Sequence, residues 1–328
     1  MVTVNTQQCN HLAEALKSLT MRSDPRLFIT TPLDVELRLR TFLLPVAICH
    51  QNHTLISKTR DLVGQDYLEH VFLAQALTGG EIVDLDYLAH VSVESLKQKL
   101  QSLFTDDTPE QSPMDRVEER AQFLIDIGTV LSEQYSGSLK KLVDSTQGFL
   151  INNGDGLYEQ LERFEAFRDP AKKKSSLFVK LLLEAELFTL NDPEHLIPPM
   201  DYHIQRVLLR TGSITIDDPD LALKLKQKQM LDSDESVRTA SIEAIRTIAQ
   251  FSGKSLFEID DIFWHVGRSC CKELMLCTDH ACNKNPCTLT QALVLASHNR
   301  CVLQDVCMGA KDASYRSYWQ PIVETHYY

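Results

Sequence analysis

A single aspartate opens the segment with the clearest chemical potential, IPPMDYHIQRVLLRTG, which covers residues 197–212. Asp201 follows a proline pair, and apolar residues at helical spacing after it predict a short helix that Gly212 ends. A carboxylate at a helix N-terminus stays ionised because backbone N–H groups and the helix dipole stabilise the anion. Cleavage of a bond between a sugar C1′ and a base develops a sugar cation, which a fixed anion stabilises. Asp201 is therefore a candidate catalytic group, and its simpler role is that of a helix N-cap.

Three consecutive lysines, Lys172, Lys173 and Lys174, lie upstream in FRDPAKKKSSLFVKLLLEA, residues 167–185. A neutral lysine amine attacks an electrophilic sugar carbon, and this requires a lowered pKa. Adjacent lysines lower one another's pKa by like-charge repulsion. The alternative is a solvent-exposed helix start in which all three amines carry a charge.

Cysteines form the third chemical cluster. The chain has nine of them, and seven lie between Cys270 and Cys307. In a reducing compartment such clustering indicates metal binding before disulfides. A set of buried thiols without a metal is the alternative.

Composition and charge narrow the class of protein. Leucine-rich runs recur at helical spacing, and no sustained alternating pattern occurs, so we expect an all-α fold. No apolar run approaches the roughly 18 residues of a membrane span, and the first residues do not resemble a signal peptide. We therefore expect a protein of the cytoplasm, or else of the nucleus, without a membrane partner. The formal charge of −12 excludes a general nucleic-acid coat, so DNA binding requires a local basic patch.

The predicted elements are helices separated by short loops. Helices are predicted near residues 10–19, 36–48, 66–78, 92–104, 116–135, 138–150, 157–167, 175–188, 202–211, 219–231, 234–251 and 256–266. The stretch TDDTPEQSPMD, residues 105–115, predicts an exposed loop inside one fold. Ser255 with Glu258 predicts a capping box, and Gly253 and Gly267 predict helix ends.

We expect three regions along the chain. Residues 1–60 form a helical lead-in that packs with the C-terminal lobe. Residues 61–212 form a central lobe that carries the lysines and Asp201, and residues 213–328 form a C-terminal lobe with the cysteine cluster.

The motifs together resemble a known family. MDYHIQRVLLRTG resembles the segment after the helix-hairpin-helix of endonuclease III-type DNA glycosylases, which reads roughly V-D-T-H-I-x-R-V-x-x-R. The matching positions are Asp201, His203, Ile204, Arg206, Val207 and Arg210. FLAQALTGGEIVD, residues 72–84, resembles the early helix and loop of that family, with Gln75 at its glutamine. KKKSSLFVKLLLEA resembles the second hairpin helix, with Lys174 nearest the family's lyase lysine. The resemblance extends over residues 60–290. The chain is also similar to the archaeal 8-oxoguanine glycosylases.

The resemblance implies an all-α, two-lobed fold with a divergent helix-hairpin-helix and a C-terminal cysteine-rich loop. It implies a monomer whose partner is double-stranded DNA with a modified base, which is flipped out of the duplex. Asp201 and Lys174 would be catalytic, with a lyase step if the amine attacks C1′. The residues in contact with substrate or DNA would be Gln75, Lys172, Lys173, Tyr202, His203, Arg206 and Arg210.

The resemblance also implies a metal centre in the tail. A [4Fe–4S] cluster would use Cys270 or Cys271, together with Cys277, Cys282 and Cys287. Zinc held by three of these cysteines and His280 is the competing assignment. Cys301 or Cys307 is an alternative to one of these ligands.

Alternative functions remain open. The hairpin glycines that bring backbone N–H groups to a DNA phosphate are absent from FRDPAKKK. The first function is a DNA glycosylase, either against glucosylated hydroxymethylcytosine in phage defence or against 8-oxoguanine or another damaged base. The second keeps the fold and cleaves a small nucleoside or nucleotide, as in queuosine salvage enzymes, and the acidic charge favours it. The third is a non-catalytic, metal-stabilised helical binding module.

Overall fold

The structure, a computed structural model, describes residues 1–22, 27–279, 282, 287–295 and 299–328. Within these ranges the chain is mostly helical, and the strands are two or three residues long. The predicted all-α class is therefore confirmed. None of the helices in these ranges is both long and apolar enough to cross a membrane.

The elements are numbered in chain order. The N-terminal segment contributes β1 (Val2–Val4) and α1 (Thr6–Leu16). The middle of the chain contributes α2 (Leu27–Thr30), α3 (Val35–Ala47), β2 (Ile56–Ser57), β3 (Leu62–Val63), α4 (Gln65–Thr78), α5 (Leu85–His90), α6 (Val93–Leu103), α7 (Val117–Tyr135), α8 (Leu139–Ser145), α9 (Leu157–Leu161) and α10 (Lys173–Glu184). The remainder contributes α11 (Tyr202–Thr211), β4 (Ile214–Ile216), α12 (Pro219–Lys226), α13 (Glu235–Ser252), α14 (Leu256–Ser269), α15 (Leu276–Asp279), α16 (Thr288–Ala292), α17 (Met308–Lys311) and α18 (Ala313–Arg316).

The chain forms two compact units. The first unit comprises Met1–Asp24 and Ile197–Glu324, and the second comprises Pro25–Leu196 and Thr325–Tyr328. These boundaries differ from the expected divisions after residues 60 and 212. Asp201 and α11 belong to the first unit, whereas the three lysines and α10 belong to the second.

In the first unit the N-terminal strand pairs with a segment more than 200 residues away. β1 runs antiparallel to β4, and the hydroxyls of Thr3 and Thr215 lie 2.8 Å apart. α1 packs against α13. The helix predicted at residues 10–19 begins earlier, at Thr6, because the Asn5 side chain accepts a hydrogen bond from the backbone N–H of Gln8.

In the second unit the loop predicted at residues 105–115 lies inside the unit, as expected. Its Asp106 carboxylate accepts hydrogen bonds from the hydroxyls of Thr59 at 2.6 Å and Ser57 at 2.7 Å. These two bonds hold the pKa of Asp106 well below its usual range. The loop is therefore anchored to the segment that follows β2.

Of the three helix boundaries predicted at Gly253, at Ser255 with Glu258 and at Gly267, two are confirmed. Ser255 and Glu258 exchange the hydrogen bonds of a capping box at the start of α14, and Gly253 ends α13 with φ 72°. The prediction that Gly267 ends a helix is wrong, because this residue lies inside α14. Glycine is needed there for packing, since a Cβ would lie only 2.8 Å from the backbone oxygen of His203.

Candidate active site

Asp201 caps α11 with one of its carboxylate oxygens. Oδ1 accepts hydrogen bonds from the backbone N–H groups of His203 at 2.8 Å and Ile204 at 3.1 Å. Asp201 is 8% exposed, and Gly212 ends the helix with φ 79°. The sequence therefore predicted both ends of α11 correctly.

The other oxygen of Asp201 is held by a tryptophan on α14. The indole Nε1–H of Trp264 donates to Asp201 Oδ2 over 3.0 Å. The absence of a side chain at Gly267 lets α14 approach the start of α11 closely enough for this contact. The carboxylate thus receives N–H donors on both oxygens, which favours its anionic form and fixes its orientation.

Replacing Trp264 by Phe is expected to lower the free energy of unfolding by about 2 kcal/mol, because a partly buried hydrogen bond to a charged group is lost. The same change should cost less in an Asp201→Asn background, where the asparagine NH₂ would face the indole N–H. Urea unfolding of the two single variants and the double variant measures this coupling. If the loss of stability in the double variant equals the sum of the losses in the two single variants, the hydrogen bond from Trp264 to Asp201 is contradicted.

Arg206 is 2% exposed and binds backbone oxygens at the end of α14. Its Nε donates to the carbonyl of Cys271 at 2.7 Å, and its Nη2 donates to the carbonyl of Gly267 at 2.8 Å. Nη2 also lies 3.2 Å from His203 Nδ1, and the guanidinium carbon lies 4.7 Å from the ring centroid of Trp319. Arg206 therefore ties α11 to α14.

Arg210 has a similar environment and is 4% exposed. Its Nε donates to the carbonyl of Tyr318 and its Nη1 to that of Lys272, both at 2.8 Å. We expected Arg206 and Arg210 to contact substrate or DNA, but both are buried with their donors on carbonyls of their own unit. These contacts stabilise the unit, and a role of the two arginines in ligand binding stays a prediction.

Tyr202 and His203 form the first turn of α11 and are partly exposed. Their ring centroids lie 4.3 Å apart with the planes tilted by 46°. They are the predicted contact residues that the structure places next to Asp201 in the same unit. Their roles in ligand binding remain predictions.

Lys174 is fully buried at the start of α10 in the second unit. Its Nζ donates to the carbonyl of Ala47 at 2.6 Å and lies 3.5 Å from His50 Nδ1. It also lies 5.1 Å from the ring centroid of Phe123. Burial lowers the pKa of Lys174 to about 7, so a large share of the amine is neutral near neutral pH.

The histidine beside this amine is itself neutral. His50 is fully buried, and burial lowers its pKa to about 2. Its Nε2 lies 2.8 Å from Glu119 Oε1, which assigns the ring hydrogen to Nε2 and leaves Nδ1 as an acceptor towards Lys174. Arg120 donates to the backbone oxygen of His50 at 2.8 Å and so fixes the segment that carries the ring.

Lys172 and Lys173 are also held by neighbours within the second unit. Lys172 forms an ion pair with Glu162, and the Nζ of Lys173, which is 8% exposed, lies 3.2 Å from Cys49 Sγ. The alternative of a solvent-exposed helix start is therefore wrong. Like-charge repulsion contributes to the lowered pKa of Lys174, but burial is the largest cause.

A Lys174→Met variant is expected to flatten the pH dependence of stability. The folded protein releases the Lys174 proton near pH 7, whereas an unfolded lysine does so near 10.4. Between these values the unfolded state binds more protons, so the wild-type free energy of unfolding rises with pH. The variant lacks this contribution, and its stability relative to the wild type should fall by about 4 kcal/mol from pH 7 to pH 10. Urea titrations across that range measure it, and parallel pH profiles would contradict the burial of the amine.

Gln75 lies in the last turn of α4 in the second unit and is partly exposed. Its backbone oxygen accepts a hydrogen bond from the N–H of Gly80 at 2.8 Å. A Cβ at position 80 would overlap the side-chain oxygen of Gln75. The residue thus shapes the turn after α4, and its predicted contact with a substrate stays a prediction.

The predicted metal ligands surround the end of α14. Cys270 follows that helix and is buried, Cys277 lies in α15, and Cys287 precedes α16. Cys282 is described, but residues 280, 281 and 283–286, including the predicted ligand His280, lie outside the described residues. In the part of the chain that is described, no three cysteine, histidine or carboxylate groups are arranged to hold a metal ion. The iron–sulfur or zinc site stays a prediction.

Three further contacts involve cysteine thiols of the tail. Cys270 donates a hydrogen bond to Cys301, which raises the pKa of Cys270 and lowers that of Cys301. Cys271 Sγ accepts from Arg210 Nη1 at 3.4 Å, and Cys307 Sγ donates to the Arg210 carbonyl at 3.6 Å. All of these cysteines are free thiols.

Sequence reasoning missed Trp264, His50 and Glu119. The partner of Trp264 is 63 residues away. His50 lies in the loop after α3, and its partner Glu119 lies on α7. No local spacing pattern reports such pairs.

The comparison with family models identifies the chain. No curated protein matches the sequence. The model of the family described as queuosine salvage protein matches residues 58–283, and neither an endonuclease III nor a helix-hairpin-helix model does. The assignment to the helix-hairpin-helix DNA glycosylases is therefore wrong, because the motif around Asp201 is short and does not report the family by itself. Since the match covers more than half of the 328 residues, the chain belongs to the queuosine salvage protein family.

Proposed function

We propose that this protein is an N-glycosidase that hydrolyses the bond between the base and C1′ in queuosine or its nucleotide. The observation that carries the proposal is the Asp201 carboxylate, which N–H donors hold on both oxygens at the start of α11. The family match supports queuosine as the substrate class. An anion fixed in this way is what the cleavage of a glycosidic bond requires.

The reaction follows from the charge that develops on the sugar. As the C1′–N bond breaks, its electron pair goes to the base nitrogen and positive charge develops on C1′ and the ring oxygen. A prepositioned carboxylate stabilises that charge without reorganising. A water molecule then adds to C1′, and it loses a proton while the base nitrogen gains one. The products are a free base and a sugar with a hydroxyl group on C1′.

Lys174 remains the second catalytic candidate. Its amine is uncharged in a large share of molecules near pH 7, because burial lowers its pKa to about 7. A neutral amine accepts a proton or attacks an electrophilic carbon, whereas a charged one does neither. The contacts with Ala47 and His50 keep the amine in a defined position within its unit.

Charge and burial support a small substrate over DNA. The formal charge of −12 repels a polyanion. The basic segment that was expected to hold phosphates contributes little, because Lys173 and Lys174 are buried and Lys172 pairs with Glu162. The same holds for Arg206 and Arg210, whose donors bind carbonyls.

A substrate panel tests the proposal. The purified protein is incubated with queuosine, with queuosine monophosphate, and with DNA duplexes that carry 8-oxoguanine or glucosylated hydroxymethylcytosine. Released bases are quantified by chromatography and mass spectrometry. We expect base release from one or both of the small substrates and none from the duplexes. Release from DNA alone would overturn the proposal and restore the DNA glycosylase interpretation.

A further inference from the structure

The last four residues of the second unit pack near the lysine site. The segment Thr325–Tyr328, which we name the strap, contains no helix or strand. Arg116 Nη1 donates to the Thr325 carbonyl at 2.6 Å, and the backbone N–H of Gln51 donates to the Tyr328 carbonyl at 3.1 Å. Tyr328 is only 4% exposed. The strap is thus packed into the unit although it is not part of a regular element.

The strap and Lys174 meet at one aromatic ring. The centroid of the Phe123 ring lies 5.2 Å from that of His326 and 5.7 Å from that of His50. The Nζ of Lys174 lies 5.1 Å from the same centroid. Burial lowers the pKa of His326, and the charge of Lys174 lowers it further, so the strap brings a neutral ring to the amine.

Arg116 connects the strap to the polar side of the same site. Its Nη2 lies 2.6 Å from Glu119 Oε2, and Glu119 Oε1 lies 2.8 Å from His50 Nε2. Burial alone raises the pKa of Glu119, but the nearby His50 ring and the hydrogen bond from Arg116 outweigh it and lower the pKa to about 2. An ionised Glu119 therefore holds Arg116, and Arg116 in turn holds the Thr325 carbonyl.

The segments around Lys174 differ in how readily they unfold locally. Ala47, Phe123 and Lys174 itself belong to α3, α7 and α10, which are helices of 12 to 19 residues. Two neighbouring segments lie outside regular elements: the loop that carries His50, and the strap. The loop is held by the buried Arg120, which donates to the carbonyls of Ile48 and His50. The strap is held by Arg116, whose side chain is 25% exposed, so local opening is expected there first. A fully buried amine meets a ligand only when part of its cover moves.

We propose that the strap is a gate whose opening exposes the Lys174 amine to small electrophilic ligands, such as acyl or aldehyde groups. His326 closes the gate by packing against Phe123, and Arg116 holds it through the Thr325 carbonyl. The gate is a property of the second unit and does not depend on the proposed glycosidase activity.

Competitive acetylation tests the gate without any enzyme assay. Trace acetic anhydride is added to the full-length protein at pH 8, and mass spectrometry compares the labelling of Lys174 with that of the exposed Lys58. In the wild type we expect Lys174 to be labelled far more slowly than Lys58. In His326→Ala the labelling of Lys174 should rise about tenfold, since an edge-on aromatic pair is lost.

Matched variants separate gating from unfolding. His326→Phe keeps a ring on Phe123 and should retain the wild-type protection. Arg116→Gln leaves the strap sequence intact but removes its anchor, and should raise the labelling of Lys174. Lys180, which is 5% exposed on the same helix, should stay protected in all variants. Rapid labelling of Lys174 in the wild type, or unchanged labelling in both His326→Ala and Arg116→Gln, would overturn the gate.

Discussion

Replacing Asp201 by Asn is expected to reduce base release by at least about 10²–10³-fold, as when one group that stabilises a developing charge is removed. The asparagine oxygen still accepts from the backbone N–H groups of His203 and Ile204, so the helix cap is preserved. The lost negative charge, and not a lost helix, therefore causes the loss of activity. Base release by the variant and the wild type is compared under identical conditions.

The double variant Asp201→Asn/Trp264→Phe provides the control. In the single variant the asparagine NH₂ faces the indole N–H of Trp264, and this mismatch costs about 1–3 kcal/mol of stability. Removal of the indole N–H should recover part of that stability. Activity should not return with it. If the more stable double variant released base at the wild-type rate, Asp201 would not be catalytic.

Replacing Arg206 by Ala is expected to have the largest effect on stability, with a loss of about 4 kcal/mol in the free energy of unfolding. The guanidinium donates hydrogen bonds to the carbonyls of Cys271 and Gly267, and Arg206 is 2% exposed. Removal of the guanidinium therefore leaves buried acceptors unpaired. The stacking on Trp319 is lost as well. Urea unfolding measures the change.

Arg246 is the matched control for this variant. It lies on α13 in the same unit, its side chain is 41% exposed, and it lies 4.0 Å from Glu243. Arg246→Ala should change stability by less than about 0.5 kcal/mol. Arg206→Lys should recover only part of the loss, because an ammonium group lacks the planar fork. An Arg206→Ala protein as stable as the wild type, but with weakened substrate binding, would return Arg206 to the ligand-contact role.

Local sequence signals predicted the ends of individual helices. Asp201 and Gly212 bound α11 as expected, and Ser255 with Glu258 forms the predicted capping box. These features depend on a few neighbouring residues and their backbone geometry, so their pattern is visible in the chain. The same holds for the all-α class, which follows from recurring helical spacing.

Tertiary contacts decided the features that the sequence did not reveal. Three adjacent lysines favour an exposed or phosphate-binding segment, yet Lys174 is buried by packing against α3 and α7. The hydrogen bond from Trp264 to Asp201 depends on the close approach that Gly267 allows. An Asp-capped helix with two arginines is compatible with more than one substrate, so it did not distinguish a DNA glycosylase from a queuosine salvage protein.

Hydrolysis of the glycosidic bond is tested by following both products in water enriched in ¹⁸O. The wild-type protein is incubated with queuosine and with its monophosphate, and the base and the sugar are quantified by mass spectrometry. We predict equal amounts of free base and sugar, with one ¹⁸O atom in the sugar, and at least about 10²-fold less of both with Asp201→Asn. The absence of free base from both substrates would contradict the proposed hydrolysis. Base release at the same rate with Asp201→Asn would contradict the catalytic role of Asp201.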